Sequence, residues 1–252
     1  MSGRNQDLEA LDGGKSAWYL HYWVGAGHRF SPQIDFDLKL GQSKTKYNGG
    51  ILSYLAVLNF RVNDELHVSL FRNYDYYLES PRTVSLGVKR GENKLRATWK
   101  PALNYVLSAH AEYSTCSDGN KSWEVQAGAQ KKFFPLKDVS LQAGPVALWT
   151  SFAKQLDNGY YNSSLYQRYA MSASAGWSAT DSVYISLGLS VGAQKDETMP
   201  DFDLSYDADI GGDIDLDHSG WELSLDADTS KDANQNGSYS ANALEASIIR
   251  RF

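Results

Sequence analysis

The sequence of 252 residues holds a single cysteine, Cys116, so neither an internal disulfide nor a thiolate zinc site is available to it. Methionine (3) and proline (6) are scarce as well. No stretch approaches the ~20 consecutive apolar residues that a membrane helix requires, and the mean hydropathy is −0.45. Lysine and arginine are scattered and the net charge of −6 is mild, which leaves no basic footprint for nucleic acid. The opening "MSGRNQDLEALDGGKS" has neither a basic n-region nor an apolar h-region. If the protein is exported, an upstream part is expected to have been removed. None of these absences excludes membrane-crossing β-strands, which alternate apolar and polar residues and so average to the hydropathy of a soluble chain.

What is present points to β-structure. Tyr 16, Trp 7 and Gly 21 favour strands and tight turns. Runs with a period of two recur from residue 17 to the end. "QIDFDLKLG" sets Ile34, Phe36, Leu38 and Leu40 against Asp35, Asp37 and Lys39. "WEVQAGAQKK" and "VYISLGLSVGAQ" repeat the pattern, and the second face is small and polar each time.

Tight connections built on Pro, Asn, Asp and Gly ("FSPQ", "RVNDE", "FPLKD", "SATDS", "LDHSG") alternate with longer ones ("SKTKYNGG", "NYDYYLESPR", "STCSDGNKS", "KQLDNGYYNSS", "KDETMPD", "SKDANQNGSYS"). Short periplasmic turns alternating with long extracellular loops are the mark of a transmembrane, antiparallel, up-and-down β-barrel. The runs give about thirteen strands where bacterial barrels have an even number, so about fourteen strands, or sixteen, are expected. The missing one is either "RNQDLEAL" or a strand further upstream. The organisation is thus an N-terminal segment or truncated first strand over 1–16 and an outer-membrane barrel over 17–252. Between Ser80 and Trp99 the phase changes, which predicts a bulge or a hairpin at "GENK".

The densest chemistry lies in "YDADIGGDIDLDHSGWELSLDADTS", with seven Asp and one Glu. Asp207, Asp209, Asp213 and Asp215 share one parity, and Glu222, Asp226 and Asp228 share one parity in the next run. A lipid-facing carboxylate is costly, so this face is assigned to a water-filled lumen. An EF-hand fails, because His218 and Ser224 stand where the loop beginning at Asp213 needs Gly and Glu. Two roles fit the carboxylates: a negative potential favouring cationic or hydroxyl-rich cargo, or solvation of the lumen with pairing to inward cations.

Five histidines were candidates for catalysis: His21, His28, His67, His110 and His218. His110 shares its face with Ser108 and Glu112, yet residues two apart along a strand lie roughly 7 Å apart, too far for direct contact. His110 and Glu112 are therefore expected to line the pore, with no catalytic residue, no cofactor and no metal site.

The terminal "NALEASIIRRF" resembles the last strand of outer-membrane barrels, which commonly closes with an aromatic residue. "YSTCSDGN" and "DNGYYNSSLYQRYAMSASAGWSATDSVYISLGLSVGAQKDET" resemble the C-terminal barrels of bacterial exopolysaccharide-export proteins, the cellulose and poly-N-acetylglucosamine exporters. That resemblance implies export of a polysaccharide or oligosaccharide, a monomeric barrel in outer-membrane lipid, and a periplasmic tetratricopeptide scaffold ahead of it. Tyr160, Tyr161, Tyr166 and Tyr169 are candidates for stacking on sugar rings at the exit. The alternatives are a general or solute-specific porin and, less favoured, a lipid-modifying barrel enzyme.

Overall fold

The computed structural model describes residues 3–9, 16–136, 138–180, 182–216, 221–234 and 237–250, and describes side chains for 18–80, 82–133, 138–180, 182–214, 225 and 227. Asp217, His218 and the terminal Phe252 lie outside the described residues, and the side chains of Asp215, Glu222, Asp226 and Asp228 lie outside the described side chains.

Among the described residues the chain forms β1 (Gly3–Glu9), β2 (Ser16–Ser31), β3 (Ile34–Thr45), β4 (Ile51–Arg61), β5 (Leu66–Tyr76), α1 (Pro81–Ser85), β6 (Lys89–Ala102), β7 (Tyr105–Cys116), β8 (Lys121–Leu136), β9 (Val139–Phe152), β10 (Tyr166–Thr180), β11 (Val183–Lys195), β12 (Asp203–Leu216), β13 (Trp221–Asn234) and β14 (Gly237–Arg250). The fourteen strands make one sheet in which each neighbours the next in chain order. Strand pairs such as β2 with β3 and β11 with β12 are antiparallel, so the topology is up-and-down. The chain divides into two compact units: Met1–Thr98 with Ala109–Val125 and Thr150–Leu165, and Trp99–Ser108 with Gln126–Trp149 and Tyr166–Phe252.

The connections sort into two kinds. Residues 32–33, 62–65, 103–104 and 182 fall in tight turns, whereas 46–50, 77–88, 153–165 and 196–202 are longer. Asn63 shows how a tight turn closes: its side-chain oxygen accepts from the backbone N–H of Glu65 at 2.9 Å and of Leu66 at 2.8 Å.

Of the bulge or hairpin expected at "GENK" between Ser80 and Trp99, the hairpin is corrected, because this stretch holds a helix and one continuous strand. Ser80 caps a helix by accepting from Thr83 N–H at 3.2 Å, and Pro81 occupies its first turn. Gly87, at φ 65°, ends the turn after the helix in the left-handed region that glycine tolerates. The phase change in the sequence is this helix, and β6 then passes straight through Gly91–Lys94.

In both units the two sheet faces invert the arrangement of a water-soluble domain. In the first unit Val24 is 75% exposed and Leu52 70%, with Leu40, Leu70 and Trp123 also exposed, while Ser43, Ser53 and Ser114 on the opposite parity are buried. In the second unit Met171, Leu187, Leu189, Leu204 and Ile210 are exposed, while Gln194 and Ser205 are buried. Continuous apolar exposure on this scale drives aggregation in water and is stable against hydrocarbon.

Candidate functional site

The polar face is assembled by register. β11 and β12 place Ser190 opposite Asp207, Gly188 opposite Asp209 and Tyr184 opposite Asp213. β12 and β13 then place Asp209 opposite Asp228 and Asp215 opposite Glu222, with Asp226 opposite Gly211. The seven carboxylate positions predicted from parity thus share one face of two paired strands. A Cβ at Gly188 would lie 2.0 Å from an Asp209 carboxylate oxygen, so glycine there is what lets Asp209 lie across its neighbour.

Among the described residues one cation enters this acidic ladder. Arg168 of β10 pairs with Asp207 at 2.5 Å and donates to Ser205 at 2.9 Å and Ser190 at 3.0 Å. Among the described residues no ion pair reaches Asp209 or Asp213. Like charges placed opposite each other across a ladder repel.

In the first unit the polar face is compensated. Glu112 accepts from Arg90 at 2.5 Å, Lys94 at 2.9 Å and Ser114 at 2.6 Å, and its side chain is only 4% exposed. Glu92 pairs with Arg90 and with Lys94, each at 3.3 Å. The Arg90 guanidinium also lies 4.7 Å from the Tyr77 ring centre. His110 sits between carboxylates, with Nε2 3.8 Å from Glu112 and Nδ1 3.7 Å from Glu124, and the expectation that residues two apart cannot touch is corrected here, because the side chains of His110 and Ser114 lean along the strand to Glu112. His110, Glu112 and Glu124 could offer ligand atoms to a metal, all within 4.8 Å of one another, but the Lys94 ammonium already holds a Glu112 oxygen there.

A second buried network escaped the sequence reading. Tyr19 donates to Asp75 at 2.6 Å; its oxygen lies 2.5 Å from His21 Nδ1, and Ser53 Oγ lies 2.9 Å from His21 Nε2. His21 Nδ1 is also 3.1 Å from Asp75. Serine, histidine and aspartate stand in the order of a nucleophilic relay. Ser53 is 0% exposed, however, so its side chain is closed to solvent in this arrangement. The network instead joins β2, β4 and β5 on the polar face. His21 was a candidate by type, but its partners lie 32 and 56 positions from it or from Tyr19, a proximity only the up-and-down register creates.

The connections 77–88, 117–120 and 153–165 of the first unit pack on one another. Asp118 accepts from Tyr160 at 2.7 Å, Asn158 at 2.9 Å and the Asn120 N–H at 3.0 Å. Asn120 donates to the Lys154 carbonyl at 2.8 Å, Thr83 to the Asn158 carbonyl at 3.1 Å and Arg82 pairs with Asp157 at 2.8 Å. Tyr77, Val88, Cys116, Phe152 and Tyr160 form the apolar core beneath these contacts. Partial burial would raise the Asp118 carboxyl, but the donated hydrogen bonds outweigh it and hold the group below its ordinary range. Burial first, and then the neighbouring Asp118, push the Tyr160 phenol up.

The four tyrosines named as candidates for sugar contact occupy different surroundings. Tyr160 is buried among the loops, and Tyr161 is half-buried beside it in the chain. Tyr166 belongs to β10 and donates to Gln194 at 2.8 Å. Tyr169 lies on the exposed apolar face, where it accepts from Trp149 at 3.2 Å. Period-two strand geometry, which begins at Tyr166, separates residues that look contiguous in sequence.

No protein-family model and no curated protein sequence matches this chain. Among solved structures it is similar to a bacterial polysaccharide outer membrane secretin, with 15% identity, a TM-score of 0.79, and coverage of 100% of this chain and 96% of the other. The chain has the fold of an outer-membrane β-barrel. It also matches the translocator domain of the autotransporter NalP from Neisseria meningitidis (10% identity, TM-score 0.43, covering 100% and 86%). A further match is the outer membrane channel DcaP of Acinetobacter baumannii (11% identity, TM-score 0.43, covering 98% and 93%).

Proposed function

We propose that this chain is a translocation channel of the bacterial outer membrane whose cargo is a polysaccharide, and that it works without catalysis. The observation that carries the reading is the inverted pair of faces: apolar side chains exposed along one parity, and serine, glutamine, glycine and carboxylates gathered along the other. Such a chain is stable in hydrocarbon only if its polar face encloses water. A hydrated wall of hydroxyls and amides exchanges hydrogen bonds with sugar hydroxyls at little net cost, because each bond to water is replaced by a similar one. The acidic ladder adds selectivity by attracting cationic or neutral hydroxyl-rich cargo and repelling polyanions. Likeness in fold to a polysaccharide secretin supports the choice of cargo.

The test is conductance in planar bilayers with and without added oligosaccharide. Neutral oligosaccharides are expected to block the current from one side in a length-dependent way, and the pore is expected to prefer cations. Replacing Asp207, Asp209, Asp213 and Asp215 together by Asn should move the reversal potential in a salt gradient toward zero. Fast passage of small unrelated solutes, with no block by oligosaccharide, would make the protein a porin and overturn the polysaccharide assignment. An unchanged reversal potential in the Asn variant would remove the steering role of the ladder.

A further inference from the structure

The apolar face of the first unit carries a cation that the channel reading leaves unused. Arg72 of β5 is exposed on the same parity as Leu70 and Tyr74, between side chains that face outward. It donates through Nε to the Tyr54 hydroxyl at 3.2 Å and through Nη1 to Asn93. Both acceptors are neutral, and among the described residues Arg72 pairs with no carboxylate. A guanidinium has five N–H donors, so this arrangement fixes its plane while leaving donors and the whole positive charge available.

Its height on the strand is informative. Tyr74 stacks on Tyr54 with ring centres 5.9 Å apart, and Arg72 lies one same-face position from this pair, roughly 7 Å away along the strand. β5 leads into the long connection 77–88, whereas its other end is the tight turn 62–65. Paired aromatics near the long-loop end mark the outer headgroup level of a barrel, and Arg72 sits just below it.

Beside Arg72 the apolar face is concave. A groove of about 720 Å³ crosses from β4 to β8, and Leu58, Leu70, Leu95, Ala111, Trp123 and Val125 are among its lining residues. Its exposed surface is mainly apolar, and the polar residues in its lining are Arg72 and Asn93 together with Lys94, Glu112, Tyr113 and Glu124; Lys94 and Glu112 are paired with each other. Charge, height and groove thus coincide on one patch: a guanidinium held by neutral acceptors near the paired tyrosines, and a mainly apolar groove that it helps to line.

We propose that this patch is a binding site for a phosphate-bearing lipid of the outer leaflet, with the phosphate on the Arg72 guanidinium and an acyl chain in the groove. The inference rests on the reading of the chain as a membrane barrel. Planar donors match two phosphate oxygens at once, and the surrounding low dielectric strengthens that pair. A lipid that carries both groups gains from both contacts together, whereas free phosphate gains only the first.

The probe is lipid A, a phosphomonoester-bearing acylated lipid, titrated into the detergent-folded full chain and followed by native mass spectrometry. Its dephosphorylated counterpart and inorganic phosphate serve as separate arms. One equivalent of lipid A is expected to bind, and Arg72→Gln is expected to weaken it roughly tenfold or more. Ala111→Phe, which fills the groove without touching the charge, should weaken it as well. Lys131→Gln removes an exposed cation near Phe133 on β8 and should leave it unchanged. Heat-modifiable migration on gels establishes that each variant is folded. Equal binding by the wild type and both site variants, equal binding of the dephosphorylated lipid, or binding of inorganic phosphate alone overturns the proposal. If instead the chain folds in plain buffer without detergent, it is the membrane reading itself that fails.

Discussion

The polar faces of β6–β7 and of β11–β13 use the same residue types to opposite effect. On β6 and β7 carboxylates alternate with cations: Arg90, Glu92 and Lys94 face Glu112 so closely that each charge has a partner within 3.3 Å. On β12 and β13 carboxylate faces carboxylate, with Asp209 opposite Asp228 and Asp215 opposite Glu222, and Arg168 reaching Asp207. Neutralised charge stiffens a wall and leaves little field beyond it. Uncompensated charge costs stability locally and projects a potential beyond the wall. The ion pairs of β6 and β7 thus tie neighbouring strands together, whereas on β12 and β13 the register sets like charges opposite one another.

This contrast breaks most readily at Glu112. Replacing it by Ala leaves Arg90 and Lys94 sharing Glu92 alone, and breaking a buried pair of this kind costs up to about 3–5 kcal/mol. Urea unfolding in detergent, followed by tryptophan fluorescence, should show that loss. A Glu112→Ala midpoint equal to the wild type would mean the pairs carry nothing.

The buried network around His21 should come next. His21→Phe leaves Tyr19, Ser53 and Asp75 short of a partner, at a cost of roughly 1–3 kcal/mol for a buried group left unsatisfied. Ser53→Ala tests its chemistry separately. Reaction of the wild type, but not Ser53→Ala, with a fluorophosphonate would show that the serine is reachable and the relay active; the account expects no reaction in either.

Asp209→Asn should have the reverse sign. Removing one of two facing carboxylates should leave stability unchanged or raise it, by roughly 0.2–1 kcal/mol. A destabilisation as large as that of Glu112→Ala would erase the distinction between the two walls.

The smallest effect belongs to the loops. The Asp118 carboxyl lies below its ordinary range when folded, so its contribution is complete above the unfolded value of about 3.9 and is lost as pH falls through the lower folded value. Loop proteolysis between 153 and 165 should therefore rise only in strong acid. Asp118→Asn should flatten that acid dependence, and identical profiles for the two proteins would contradict the assignment.

Much of this was legible in the sequence because period two is a local signal. Ile34 to Leu40 and Val183 to Val191 announce their faces without any knowledge of the partner strand, and the parity of Asp207 to Asp228 needed only the strand assignment. The helix at Pro81–Ser85 was missed because Val84, Leu86 and Val88 also satisfy a period of two over so short a span. What a local pattern cannot carry is the identity of the neighbour across the ladder. Ser53 beside His21, or Arg90 and Lys94 on Glu112, depend on the register and on how long side chains bend between strands. Tyr160 illustrates the same limit, since its burial depends on Asp118 and Asn120, which belong to a different connection.

The central claim is that alternate residues face hydrocarbon and water, and cysteine scanning along β12 tests it most directly. In a Cys116→Ser background, Asp207→Cys, Ala208→Cys, Asp209→Cys and Ile210→Cys variants in lipid vesicles would be treated with a charged, membrane-impermeant thiol reagent. The account predicts fast labelling at 207 and 209 and protection at 208 and 210. Equal labelling at all four, or protection of the odd positions, would contradict it.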